Sequence, residues 1–275
     1  MRSRLLLLLP LLVTACSPAT QYRRTALVPT PPADGMTQPQ RRTAELSMTA
    51  TVNPVTSDLV PSYGDPAMQA AETTFTGQAR FRLGEHFRLG GQLLYSHASL
   101  AHETAAGTPP MPGESVVGGG PQMSAGFAGE HWHVGFGAMA TLVSVPWAAW
   151  ERNDDAPDVD RESVDVLDHY HLAVQGRELR LMFATSVGVT WIVHPWFEGF
   201  GGVSVQSAFE NVGFDDQERT GSTLSMRPVV VPFVGVTARI PEPGLFLRAQ
   251  YQYPIGEPHL LHGGFGITLG IEVGE

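Results

Sequence analysis

Lysine is absent from this chain; all 17 basic residues are arginine. No Walker-type G-K-[ST] phosphate loop is therefore available, and the glycine runs at 118–120 and 263–264 suit strand crowding instead. We read the arginine-only usage as codon bias from a GC-rich genome, not as function. Cysteine occurs once, at Cys16, which excludes an intrachain disulfide. Charge is scarce at 16% of residues, against ~25% for an ordinary soluble domain. The net charge of −10 argues against a nucleic-acid partner. No G-x-S-x-G nucleophile elbow is present. The longest apolar run, Leu5 to Val13, is broken by Pro10 and falls short of the ~20 residues a membrane helix needs.

What the chain does have is a rhythm of paired strands. Ten segments alternate apolar and polar residues: 44–52, 75–83, 87–97, 121–128, 132–143, 179–194, 197–209, 230–240, 245–253 and 264–272. In 264–272, for example, Phe265, Ile267, Leu269 and Ile271 oppose Gly264, Gly266, Thr268, Gly270 and Glu272. The gaps alternate in length. Short ones fall at Gly84–His86, Gly129–Glu130, Pro195 and Pro241–Gly244; long ones fall around 54–73, 98–119, 145–177, 210–225 and 255–262. A soluble sandwich also alternates, but its strands average ~5–6 residues, whereas a tilted membrane strand takes ~9–11. Aromatics gather at strand ends: Trp132, Trp191, Trp196, Phe197 and Phe87 beside the short turns, and Phe75, Tyr95, Phe209, Tyr251 and Tyr253 toward the long loops. Two such groups predict girdles at the two headgroup levels. The expected fold is all-β: a closed antiparallel up-and-down transmembrane barrel over 43–275, of about ten strands, with eight as the alternative count.

Arg2 and Arg4 followed by the short apolar run read as a secretory signal. The run ends Val13-Thr14-Ala15-Cys16, which resembles the bacterial lipobox. That resemblance implies cleavage after residue 15, lipidation of Cys16 and, with Ser17 next instead of Asp, export to the outer membrane. Residues 16–42 carry Pro18, Pro29, Pro31, Pro32 and Pro39 without apolar periodicity, and read as an extended, disordered tether. An even strand count puts both barrel termini on the short-turn side, so the lipid anchor is expected on the periplasmic side. A soluble periplasmic β-sandwich on a lipid tether is the alternative fold.

On the inward faces the alternation places Arg80, Arg82, Arg88, Arg180, Arg239 and Arg248 with Glu45, Glu198 and Glu272. Buried charges must be paired or hydrated, so a polar network filling the barrel is expected. A narrow Arg-lined path for small anions is the sharper alternative. His131 and His133 share a face by parity and are candidates for a metal site, with Glu130 or His194 as a third ligand. Asp158, Asp160 and Glu162 begin like a calcium loop, but Ser163 stands where glycine is required and His169 where the bidentate Glu belongs. A solvated acidic loop is the expected reading, a weak divalent site bridging to lipopolysaccharide phosphates the alternative.

Taken together, 43–275 resembles the small outer-membrane β-barrel superfamily, of which OmpA and OmpX are familiar members. The chain departs from it in ending Ile271-Glu272-Val273-Gly274-Glu275, where family barrels usually end in an aromatic residue. The resemblance implies a structural or surface-interaction role, with outer-membrane lipids, lipopolysaccharide and extracellular or envelope proteins as partners through the long loops. No cofactor and no catalysis are expected. Two further resemblances are local: Asp168-His169-Tyr170-His171 to the rim of omptin proteases, without their spacing, and His97-Ala98-Ser99 to the His-x-Ser pair of lipid A deacylases. They keep a rim enzyme acting on lipid or peptide as an alternative, beside a small-solute pore.

Overall fold

A strand whose side chains alternate in polarity has two faces, and in this molecule the apolar face is turned outward. The computed structural model describes residues 22–28, 37–52, 67–70, 73–97, 114–152, 170–211, 224–255 and 263–274. They form β1 (Tyr22–Val28), β2 (Ala44–Val52), β3 (Ala67–Ala70), β4 (Thr73–Arg82), β5 (Phe87–His97), β6 (Ser115–Ala128), β7 (Trp132–Arg152), β8 (Tyr170–His194), β9 (Phe197–Asn211), β10 (Leu224–Ile240), β11 (Leu245–Gln252) and β12 (Gly264–Val273). Ten of these close into one antiparallel barrel in the order β7-β6-β5-β4-β2-β12-β11-β10-β9-β8, and β8 pairs back with β7. The first and last barrel strands meet from Val52↔Phe265 to Ala44↔Val273, so no edge is left in the ring.

The distribution of polarity is the reverse of a soluble protein. Leu93 is 73% exposed and Leu269 62%, whereas Arg80 and Arg248 are each 2% exposed. Met48, Leu89 and Phe183 also face outward, while Glu45, Gln92, Gln206 and Gln250 are buried inside. Such an arrangement is stable only where the outer medium is hydrocarbon. A sandwich with an apolar core is thereby excluded, and the barrel is a transmembrane one. Exposed aromatics ring both ends. Trp132 pairs across to Trp191 near the short turns, with Trp196, Phe197 and Phe87 at the same end. At the other end Phe75 faces Tyr95 and Tyr251 faces Phe265. From Phe87 to Tyr95 the strand rises ~27 Å, or ~20 Å along the axis at a ~40° tilt, close to the ~25 Å apolar band of outer-membrane barrels.

Four differences from the sequence reading stand out. β10 begins at Leu224, six residues before the expected 230. β6 begins at Ser115, taking Gly118–Gly120 into the wall. A Cβ at Gly118 would come 2.6 Å from Val143 Cγ1, so lack of a side chain allows close packing there and also hides the strand from a periodicity reading. β7 and β8 extend to Arg152 and back to Tyr170, into both ends of the expected loop 145–177, of which 153–169 lie outside the described residues. Pro146 and small alanines masked this extension in the sequence, yet Val145, Ala148 and Ala149 are buried. Finally, Tyr22–Val28 of the expected tether is β1, because no proline interrupts those seven residues. It pairs with β7 from Tyr22↔Glu151 to Ala26↔Trp147, at the long-loop end, and with β3 in parallel.

Candidate functional site in the barrel lumen

The short turns bring one end of every barrel strand to a common level. Gly244 sits at φ +93° in the β10–β11 turn, a conformation glycine adopts without strain. Above these turns the inward charges gather. Arg239 lies between two carboxylates: its Nε is 3.1 Å from Glu198 Oε2 and its Nη1 3.1 Å from Glu272 Oε2. Arg80 Nη2 donates to Glu45 Oε2 at 2.5 Å. Arg248 donates from Nε to Thr237 Oγ1 at 3.4 Å, its guanidinium 5.2 Å from the Phe246 ring centre and 5.9 Å from that of Phe200. Higher up, hydroxyls and amides take over: Thr49 with Thr268 and Thr74 with Ser96, each at 2.8 Å, and Gln92 donating to Thr141. The β9–β10 wall supplies an inward apolar patch of Phe200, Ala208, Val229, Val231 and Phe233.

The lumen also holds part of the chain that precedes the barrel. Thr37, Gln38 and Gln40 are buried. Arg41 donates from its backbone N–H to Glu272 Oε1 at 3.1 Å, from Nη1 to the Pro195 carbonyl at 3.2 Å, and from Nη2 to Glu198. Arg239 Nη2 donates to the Pro39 carbonyl at 3.1 Å, and Gln40 Nε2 to the Thr43 carbonyl at 3.0 Å. Thr190 Oγ1 donates to Gln38 Oε1 at 3.3 Å. Thr37 lies on a floor of glycines. Gly135 pairs with Gly188, and Gly188 with Gly202, across β7, β8 and β9. A Cβ at Gly135 would overlap the Thr37 carbonyl, and one at Gly188 would stand 2.7 Å from Thr37 Oγ1. The chemistry of this arrangement is a clasp: Glu198 and Glu272 each hold both a wall arginine, Arg239, and the inserted Arg41.

The inward candidates named from the sequence separate into groups. Glu45, Arg80, Arg88, Glu198, Arg239, Arg248 and Glu272 are buried. Arg82 is exposed at the turn, its Nε donating to the Gly84 carbonyl at 2.9 Å, because the inward file of β4 ends at Arg80. Arg180 has inward parity but lies toward the long-loop end, half-buried and paired with Glu178, away from the clasp. The two histidines diverge. His133 is 2% exposed on the inner face, whereas His131 belongs to the β6–β7 turn and lies in solvent, 3.8 Å from Glu130 Oε1. His194 accepts the Trp196 backbone N–H at 3.4 Å. Among the described residues no group of three or more metal-ligating side chains converges. Asp158, Asp160, Glu162, Cys16, Ser99, Asp168 and His169 lie outside the described residues. His97 ends β5 in an exposed position, and His171 lies 3.6 Å from Glu151.

Sequence reading missed Thr37, Gln38 and Gln40 as luminal residues, and Arg41 as their anchor at the short-turn mouth. Their own composition gives no signal of it. The available signal lay in the wall, where three glycines fall in register on inward positions of consecutive strands.

No family model matches the chain, and no curated protein matches it. Among solved structures it is similar to the Neisserial surface protein A, NspA, at 10% identity over 84% of this chain and 97% of that one, with a TM-score of 0.37. It is similar to LpxR from Salmonella typhimurium at 8% identity, over 83% of this chain and 100% of that one, with a TM-score of 0.39. The translocator domain of the autotransporter NalP from Neisseria meningitidis gives 9% identity over 86% and 90%, with a TM-score of 0.36. Likeness this distant says nothing about role.

Proposed function

We propose that this chain is a lipoprotein barrel of the bacterial outer membrane, freed of a signal peptide at 1–15, acylated at Cys16, and engaged in surface interaction instead of solute passage or catalysis. What carries this reading is the clasp. A pore needs a continuous wet path, and here Thr37–Gln40 is buried in the lumen, held at the short-turn mouth by Arg41, which bonds Glu198 on β9 and Glu272 on β12. Ten strands leave an interior only somewhat wider than the eight-stranded kind that side chains fill alone. What supports a surface role is the uneven wall. β7 has 21 residues and β8 has 25, against 8 in β11, so a ribbon stands beyond the apolar belt among the long loops. Lipopolysaccharide and envelope or extracellular proteins are the partners such a ribbon would meet.

The test is conductance. The purified barrel in planar bilayers is expected to stay silent, and Gly135→Val, which removes the space under Thr37, is expected to produce discrete steps. Steady conduction by the unaltered chain would overturn the reading in favour of a pore.

A further inference from the structure

We infer that the chain threads its own barrel, so that residues ahead of Tyr22 emerge among the long loops and an acyl group on Cys16 is carried on the outer face of the membrane. The placement of the lipid rests on the proposed lipidation; the threading does not.

Two described stretches fix the path. Read from Arg42 back to Thr37, the chain climbs from the short turns into the lumen: Arg42 Nη2 bonds the Pro241 carbonyl, Arg41 bonds the Pro195 carbonyl, Gln38 is level with Thr190, and Thr37 sits on Gly135 and Gly188. Read forward, β1 runs down the extension of β7 from Glu151 toward Trp147, at the opposite end. Between Val28 and Thr37 there are nine residue steps, at most ~32 Å of extended chain. The direct route down the lumen, from the level of about residue 145 of β7 to that of Gly135, is ~33 Å along the strand and ~25 Å along the axis at a ~40° tilt, within that reach. The route outside the wall would descend the same height, round the short turns, and climb again past residues 38–42. Nine steps do not allow it. The wall offers no gap either, since β6 and β7 are in register from Ala128↔His133 to Val117↔Ser144.

Outer-membrane barrels present short turns to the periplasm and long loops to the exterior. Tyr22, opposite Glu151, therefore stands on the exterior side. This reverses the expected periplasmic anchor. Cys16 is six residues further on, a reach of ~20 Å, comparable with the ~23 Å height of Glu151 over Leu142 at the top of the belt. An acyl chain there would enter the outer leaflet from above.

The experiment uses intact cells. Thr20→Cys introduces a thiol ahead of β1, and Cys16 itself is blocked when acylated, so the unaltered chain gives the background. A membrane-impermeant maleimide is expected to label Thr20→Cys on intact cells about as fully as after permeabilisation. Labelling that appears only after permeabilisation would overturn the threading. A short epitope inserted after Ser17, read by antibody on intact cells with heat-modifiable migration as the folding control, gives the same decision independently. Incorporation of labelled palmitate is measured in parallel: its absence together with surface labelling would remove the lipid and leave the threading standing.

Discussion

The two ends of this barrel are built on different principles. At the short-turn end every strand is paired, the turns are a few residues long, and the interior is filled by Arg–Glu pairs and the inserted Thr37–Gln40, with Arg41 bonding at the mouth. At the long-loop end the strands separate. β8 and β9 are in register only from Ala184↔Gln206 downward, while β7 and β8 continue together to Arg152↔Tyr170 and recruit β1 and β3 at the β7 edge. Inside the belt the backbone must satisfy its own hydrogen bonds, and ring closure does that. Above the belt water is available, so strands are free to end, extend or take on partners. The closed end sets the fold, and the open end is free to vary with the surroundings.

Substitutions break this comparison at different points. The largest effect is expected from Glu198→Ala, which leaves Arg239 and Arg41 facing each other with one fewer carboxylate. About 3–5 kcal/mol of stability should be lost, read from the urea midpoint of the detergent- or lipid-folded barrel. Leu269→Arg places a charge on the outer face of β12 in mid-belt and should cost ~2–4 kcal/mol, whereas Leu172→Arg, on β8 above the belt, should cost no more than ~1. Equal costs at the two positions would mean that the belt has been placed wrongly. The smallest effect belongs to the open end. Arg177 pairs with Glu114 at 2.6 Å, but both are partly solvated, so Arg177→Ala should change stability by less than ~1 kcal/mol. A loss as large as that of Glu198→Ala would make the two ends energetically alike.

Much of the closed end was legible in the sequence because membrane strands obey period two with few exceptions. β5 at Phe87–His97 coincides with the expected 87–97, and β12 at Gly264–Val273 exceeds the expected 264–272 by one residue. The inward file of charges followed from the same parity, except at Arg82, where the strand ends, and Arg180, where the lumen opens toward the loops. The open end was read poorly. Pro146 and Gly118–Gly120 look like loop residues, yet they sit in paired strands whose neighbours hold them. The inserted segment was illegible for a different reason. Its polarity suits solvent and a polar lumen equally, and only the glycine floor distinguishes the two.

That floor also gives the most direct test. An ideal Cβ on Gly188 lies 3.1 Å from Thr37 Cβ, close to the ~3.5–4.5 Å separation of a disulfide. The double variant Thr37→Cys, Gly188→Cys, made with Cys16→Ser, folded in detergent and oxidised, would then be cut at a protease site placed between Arg152 and Tyr170. If Thr37–Gln40 occupies the lumen, the two fragments stay joined on a denaturing gel until reductant is added. Fragments that separate without reductant, from a barrel that still migrates as folded before heating, would contradict the account.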